Sequence, residues 1–151
     1  MDINQRRSFV DNCVKNEVEF RRCCQNNNLK ATIQGQPDFN SEAFYTSVGS
    51  REILAIFKGG EKNTPLARAF DLYLPRQIET GIYELNKPGN LIEIAFTAGQ
   101  PPVSRWALEG VMNLFVNTGK TGYTGIFNVK FKDGQNNEFS SRGEFSFVLD
   151  S

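Results

Sequence analysis

From Leu29 onward, apolar residues recur at every second position, and this alternation limits the chain to half-buried β-strands. The clearest stretch is Gly125–Lys132, where Phe127, Val129 and Phe131 share one face. Glu138–Leu149 answers it with Phe145, Phe147 and Leu149. Asp133-Gly134, between the two, begins a hairpin turn of the kind that needs positive φ. The two phenylalanine rows are therefore expected to meet as cross-strand aromatic pairs. Gly143, in mid-strand, is expected to mark a bulge or a sharp bend.

The same pattern extends backward along the chain. Leu29–Ile33, Ala43–Val48, Glu52–Lys58, Arg68–Leu74, Gly81–Leu85 and Leu91–Thr97 read as strands. Turn signals separate them at Gly49-Ser50, Gly59-Gly60 and Lys87-Pro88-Gly89-Asn90. The stretch around Gly35, Pro37 and Asp38 reads as a loop, and Pro75 ends a strand because proline cannot donate to the ladder. Arg105–Asn117 has the composition of a helix. Val111, Phe115, Val116 and the alternating neighbours favour one strand instead, bent near Gly110. Roughly eight or nine strands with short turns describe an all-β antiparallel sandwich or barrel.

Before residue 29 the period changes. Phe9, Cys13, Phe20 and Cys24 fall in one stripe, with Val10, Val14 and Val18 beside it at i, i+4 and i+8. Arg6, Arg7, Lys15, Glu19 and Arg22 lie mostly elsewhere on the wheel. Residues 3 to about 25 are thus expected to form an amphipathic helix, capped by Asp2 or Asn4 and stopped at Asn26-Asn27-Asn28. The expected layout is a helix over 1–28, packed on or extending from one β-domain over 29–151. A chain of 151 residues suffices for one such core.

Composition narrows the function classes. Seventeen basic residues balance 17 acidic ones, which argues against nucleic acid as the partner and gives no pull toward anionic membranes. Histidine is absent, which removes Ser-His-Asp triads, Cys-His dyads and His-ligated zinc. No cofactor or metal is expected. Cys13, Cys23 and Cys24 have no CxxC spacing and read as reduced thiols rather than a disulfide framework. MDINQRR is followed by no apolar leader or lipidation motif, and no run approaches the ~18 residues of a membrane span. The expected location is the cytoplasm, with export by a non-classical route left open.

Several groups could carry chemistry. Arg105-Trp106 follows Pro101-Pro102 and sets a cation beside the only tryptophan at a loop-to-strand junction. Such a pair suits a ligand or interface anchor, or the tryptophan caps one end of the core. Asp71, Glu84, Glu93 and Glu109 lie in or near strands, and two of them facing one cleft could hydrolyse a glycoside. Their alternation with core residues puts them on the solvent face. Asn117–Gly122 lacks the glycine spacing and following helix of a phosphate loop and reads as a hairpin loop. Tyr45, Tyr73, Tyr83 and Tyr123 are candidates for an aromatic patch.

Five segments together carry a resemblance. They are Lys30-Ala31-Thr32-Ile33, Leu72-Tyr73-Leu74-Pro75, Thr80-Gly81-Ile82-Tyr83-Glu84-Leu85, the run Tyr123–Phe131, and Gly143-Glu144-Phe145-Ser146-Phe147. In this order they resemble a family of small bacterial all-β domains of unknown function, often lipoproteins, over about residues 29–149. The resemblance implies the fold and assigns no catalytic residue. This chain departs from it in having a helical leader and no lipidation signal.

The reading that follows is a non-enzymatic protein-binding module of interaction or immunity type. Its partner is another protein or a second copy, met through the helix face at Phe9 and Val10 and through Arg105 and Trp106. Two alternatives are a carrier holding a lipid-like small molecule in a phenylalanine-lined barrel and a carboxylate-dependent hydrolase.

Overall fold

The computed structural model describes residues 21–22 and 27–149, and these build an all-β fold. In chain order the strands are β1 (Arg21–Arg22), β2 (Asn28–Ile33), β3 (Gln36–Asn40), β4 (Ala43–Val48), β5 (Glu52–Gly59) and β6 (Arg68–Pro75). There follow β7 (Gly81–Glu84), β8 (Glu93–Ala98), β9 (Val103–Trp106), β10 (Glu109–Val116), β11 (Gly122–Lys132) and β12 (Glu138–Val148). They form two six-stranded sheets, ordered β1-β4-β5-β6-β8-β9 and β3-β2-β12-β11-β10-β7, with every pairing antiparallel.

The alternation of β11 dictates its orientation. Tyr123, Gly125, Phe127, Val129 and Phe131 are buried, and the residues between them are exposed. Nine phenylalanines fill the layer between the sheets, among them Phe44, Phe70 and Phe96 from the first sheet. These three meet Phe147, Phe127 and Phe131 of the second at ring-centroid distances of 5.7, 5.6 and 5.8 Å. Each ring kept from water stabilises the fold by about 1.5–3 kcal/mol, and tilted or edge-on ring pairs add to that.

The β11–β12 hairpin has an unbroken register from Gly122↔Val148 to Lys132↔Glu138. Aromatic pairs form toward its ends, with Tyr123 stacked on Phe147 at 4.9 Å and Phe131 on Phe139 at 5.5 Å. Between them Gly125 opposes Phe145, and Phe127 opposes Gly143. The bulge expected at Gly143 is therefore absent. A Cβ at Gly143 would sit 2.4 Å from the Phe127 ring, so the glycine makes room for the ring rather than bending the strand. The turn also differs in detail, because the residue with positive φ is Asn136, at 68°, not Gly134.

Three further expectations are corrected. The stretch around Pro37 is not a loop but β3, an edge strand, where a missing N–H is tolerated and Phe39 alone turns inward. The single bent strand over 105–117 is two strands in different sheets. The Ala107 N–H donates to Ile94 O in the first sheet, and the Leu108 N–H donates to Lys130 O in the second, both at 2.8 Å. Gly110, with φ of 136°, lets the new strand lie against β11, where a Cβ would come 2.3 Å from Asn128 O. Finally, Asp71 does not face solvent, since β6 is buried on both sides from Arg68 to Leu74.

The helix expected over residues 3–25, with Phe9 and Val10, lies outside the described residues except at its far end. There Arg21 and Arg22 are extended and pair with Phe44 and Ala43. Asn27, expected to help stop that helix, is buried, and its Oδ1 accepts from the Val148 N–H at 2.9 Å.

Candidate functional site

The residues of β11 that alternate with the core point outward, and the register carries them into rows across the second sheet. One row runs Ile82, Asn113, Ile126, Glu144, Lys30, Asn40. The next runs Glu84, Val111, Asn128, Arg142, Thr32, and a third begins at Phe115 and Thr124. Ile82, Phe115 and Ile126 are 73%, 60% and 54% exposed, and Val111 is 36% exposed. Large apolar side chains gathered at one end of an open sheet face mark an interaction surface more often than isolated ones do.

The face is slightly hollow beside them. A groove of about 650 Å³ runs from β3 to β10, lined by Val111 and Ile126 together with polar residues that include Lys30, Asn128, Arg142 and Glu144. Lys30 faces Glu144 across the strands, so charge along the groove is mixed. Lys130 and Glu109 pair at 3.5 Å on the same face, and Glu84 pairs with Lys87 at 3.3 Å at its edge. Apolar side chains thus lie beside polar, charge-balanced ones on one sheet face.

Arg105 and Trp106 do not form one anchor. Neighbouring residues of a strand face opposite ways, and these two follow that rule. Arg105 pairs with core residue Phe96 and lies near the β11–β12 turn, where its charge helps hold the Asp133 carboxyl low. The larger cause there is donation from the Asn137 and Gln135 backbone N–H groups to Asp133 Oδ1, at 2.9 and 2.8 Å. Trp106 turns to the outer face of the first sheet and meets Tyr73 edge-on at 5.2 Å. It also lines a small concavity with Asn90, Ile92 and Glu93.

The four carboxylates divide between the sheets. Glu84 and Glu109 lie on the second sheet, whereas Asp71 and Glu93 lie on the first. Asp71 is 1% exposed and within 3.4 Å of the Tyr73 hydroxyl, which corrects its expected place in solvent. The tyrosines scatter likewise. Tyr123 is in the main core, where burial raises its pKa, and Tyr45 and Tyr73 are on the far side of the first sheet.

One buried cation ties the sheets together. Arg68 of β6 donates through its guanidinium to Pro37 O at 2.6 Å and Asp38 O at 3.0 Å, both in β3. Its aliphatic and planar groups cover Phe39, with Cζ 5.7 Å from the ring centroid. Burial lowers its pKa, and the Asp38 charge opposes that shift.

Ile82, Val111, Phe115 and Ile126 were not among the residues singled out from the sequence. Their signal was parity. Ile126 alternates with the core residues Phe127 and Val129, and Phe115 lies between Leu114 and Val116, so both are apolar where the strand turns outward. Comparison of the chain with family models, curated proteins and solved structures returned no match.

Proposed function

We propose that this chain acts by binding another protein through the outer face of its second sheet. The observation that supports this most is the exposure of Ile82, Phe115 and Ile126 on neighbouring strands of one face. Two aliphatic side chains and one aromatic ring can be removed from water by a flat partner surface, at about 25 cal/mol per Å² of apolar area. Asn113, Asn128, Arg142 and Glu144 surround them and would supply direction through hydrogen bonds.

The other two readings have less support. The layer between the sheets is occupied by touching phenylalanine rings, which suits a stabilising core rather than a lipid-like cargo. The division of the four carboxylates between two sheets leaves no single cleft that collects them.

The test is affinity capture with the full chain and with a Phe115→Ser, Ile126→Ser variant, followed by light scattering of each. The wild type is expected to retain a defined partner, or a second copy, that the variant releases. Equal retention by both would overturn the reading.

A further inference from the structure

On one side the second sheet ends in β7, which pairs only with β10. In an antiparallel ladder, alternate residues turn both backbone groups toward the same neighbour. The Leu85 N–H donates to Gly110 O at 2.9 Å, and this sets the phase of the ladder. Gly81, Tyr83 and Leu85 thus face β10, while Ile82 and Glu84 turn their N–H and C=O groups to the open side. Among the described residues no strand lies there. Ile82 is 73% exposed, the most of any large apolar residue described.

The opposite edge of the same sheet, β3, is blunted. Pro37 has no N–H, and Arg68 occupies the Pro37 and Asp38 carbonyls. β7 contains no proline and carries no such clamp.

We propose that two copies of this chain pair through β7, antiparallel, about a two-fold axis at Ile82, so that their second sheets become one. Each Ile82 N–H then donates to the Ile82 carbonyl of the other copy, and each Glu84 N–H to the Thr80 carbonyl of the other copy. The pairing does not rest on the partner proposed above and does not use Phe115 or Ile126.

Three observations favour a second copy as the occupant. Unpaired N–H and C=O groups at alternate residues of an edge are met by an extended strand. β7 is also complementary to itself. With Ile82 opposite Ile82, two β-branched side chains meet, and the Glu84 carboxylate falls opposite Thr80 rather than opposite another carboxylate. Finally, Thr80 is already held in line with the strand, because its hydroxyl bonds the Val116 carbonyl and N–H at 3.2 and 2.8 Å.

Sedimentation of the full chain should show a dimer that dissociates on dilution. Ile82→Pro removes an outward N–H and no internal hydrogen bond, so the variant should fold and stay monomeric where the wild type is dimeric. The Phe115→Ser, Ile126→Ser variant should dimerise as the wild type does, which separates this pairing from the face proposed for another protein. A wild type that is monomeric at every concentration, a folded Ile82→Pro dimer, or loss of the dimer in the Phe115→Ser, Ile126→Ser variant would each overturn the proposal.

If Ile82→Pro fails to fold, amide exchange in the wild type decides. Dimerisation should slow exchange at Ile82 and Glu84 by about tenfold or more, with Tyr83, bonded to β10, slow in both states. A dimer whose Ile82 and Glu84 amides exchange as fast as the monomer's would contradict the pairing.

Discussion

Phe127 and Gly143 are cross-strand partners on the buried face of the central hairpin, and the phenylalanine ring occupies the space a side chain at Gly143 would need. Gly125 and Phe145 repeat the arrangement in reverse one pair along, with a Cβ-to-ring distance of 2.6 Å. The rings can thus lie flat in the inter-sheet layer and reach across it, Phe127 to Phe70 at 5.6 Å. Adding a methyl group at either glycine forces one of these rings off its position. Gly143→Ala is expected to lose about 1–3 kcal/mol, read as a lower urea midpoint. A Phe127→Leu substitution in the same chain should recover part of the loss, since the pair is coupled. A Gly143→Ala protein as stable as the wild type would refute the arrangement.

The sheet switch makes a second glycine costly to replace. At Gly110 a Cβ meets backbone at 2.3 Å and φ is 136°, so both space and conformation oppose a side chain. At Gly35 φ is 78° but no heavy atom lies within 4 Å. Gly35→Ala should cost about 1 kcal/mol through its conformation alone. Gly110→Ala should cost clearly more, and thermal melts of the two variants side by side check the order.

Arg68 holds β3 onto the first sheet through two carbonyls that only a planar fork reaches together. Arg68→Lys cannot reproduce that geometry, and Arg68→Ala leaves the Pro37 and Asp38 carbonyls without their donor. Charge-assisted hydrogen bonds of this kind contribute about 1.5–3 kcal/mol each, so both variants should be destabilised, alanine most. Hydrogen exchange should quicken first in β2 and β3. Unchanged exchange there would count against the clamp.

Tyr123 contributes to the alkaline behaviour. Burial raises its pKa above the ordinary 10.0, the Arg76 charge partly opposing the shift, so the folded state holds the phenol proton more tightly than the unfolded chain. The stabilisation is fully present below the unfolded pKa, and it is lost as pH rises from there through the folded pKa. Tyr123→Phe should lose about 0.5–1.5 kcal/mol at neutral pH, because the hydroxyl donates to Lys120 O at 3.0 Å. It should also flatten the fall in stability above pH ~10, as measured by urea unfolding at several pH values. A parallel fall in both proteins would contradict this assignment.

Much of the fold was legible because parity and turn residues agree. Ala43–Val48 coincides with β4, and the Phe127–Phe131 and Phe145–Phe147 rows are buried as alternation requires. What parity could not reveal is how many faces of a strand are covered. Asp71 and Tyr73 alternate with Leu72 in the manner of solvent-facing residues, yet the outer side of β6 is dry. Nor could it show that Ala107 and Leu108 belong to different sheets, since each is simply extended. Arg105 and Trp106 drew notice by adjacency, which in a strand separates side chains. Ile126 and Phe115 carried the opposite signal, apolar residues in the polar phase of a strand.

The central claim is that the outer face of the second sheet meets another protein, and a photo-crosslinking side chain placed at position 115 in cells tests it most directly. Leu66, 50% exposed in the loop before β6, serves as the control position. The expected result is one discrete adduct from position 115, of a partner's mass or twice the chain's own, and none from position 66. No adduct at 115, or the same adducts from both positions, would contradict the account.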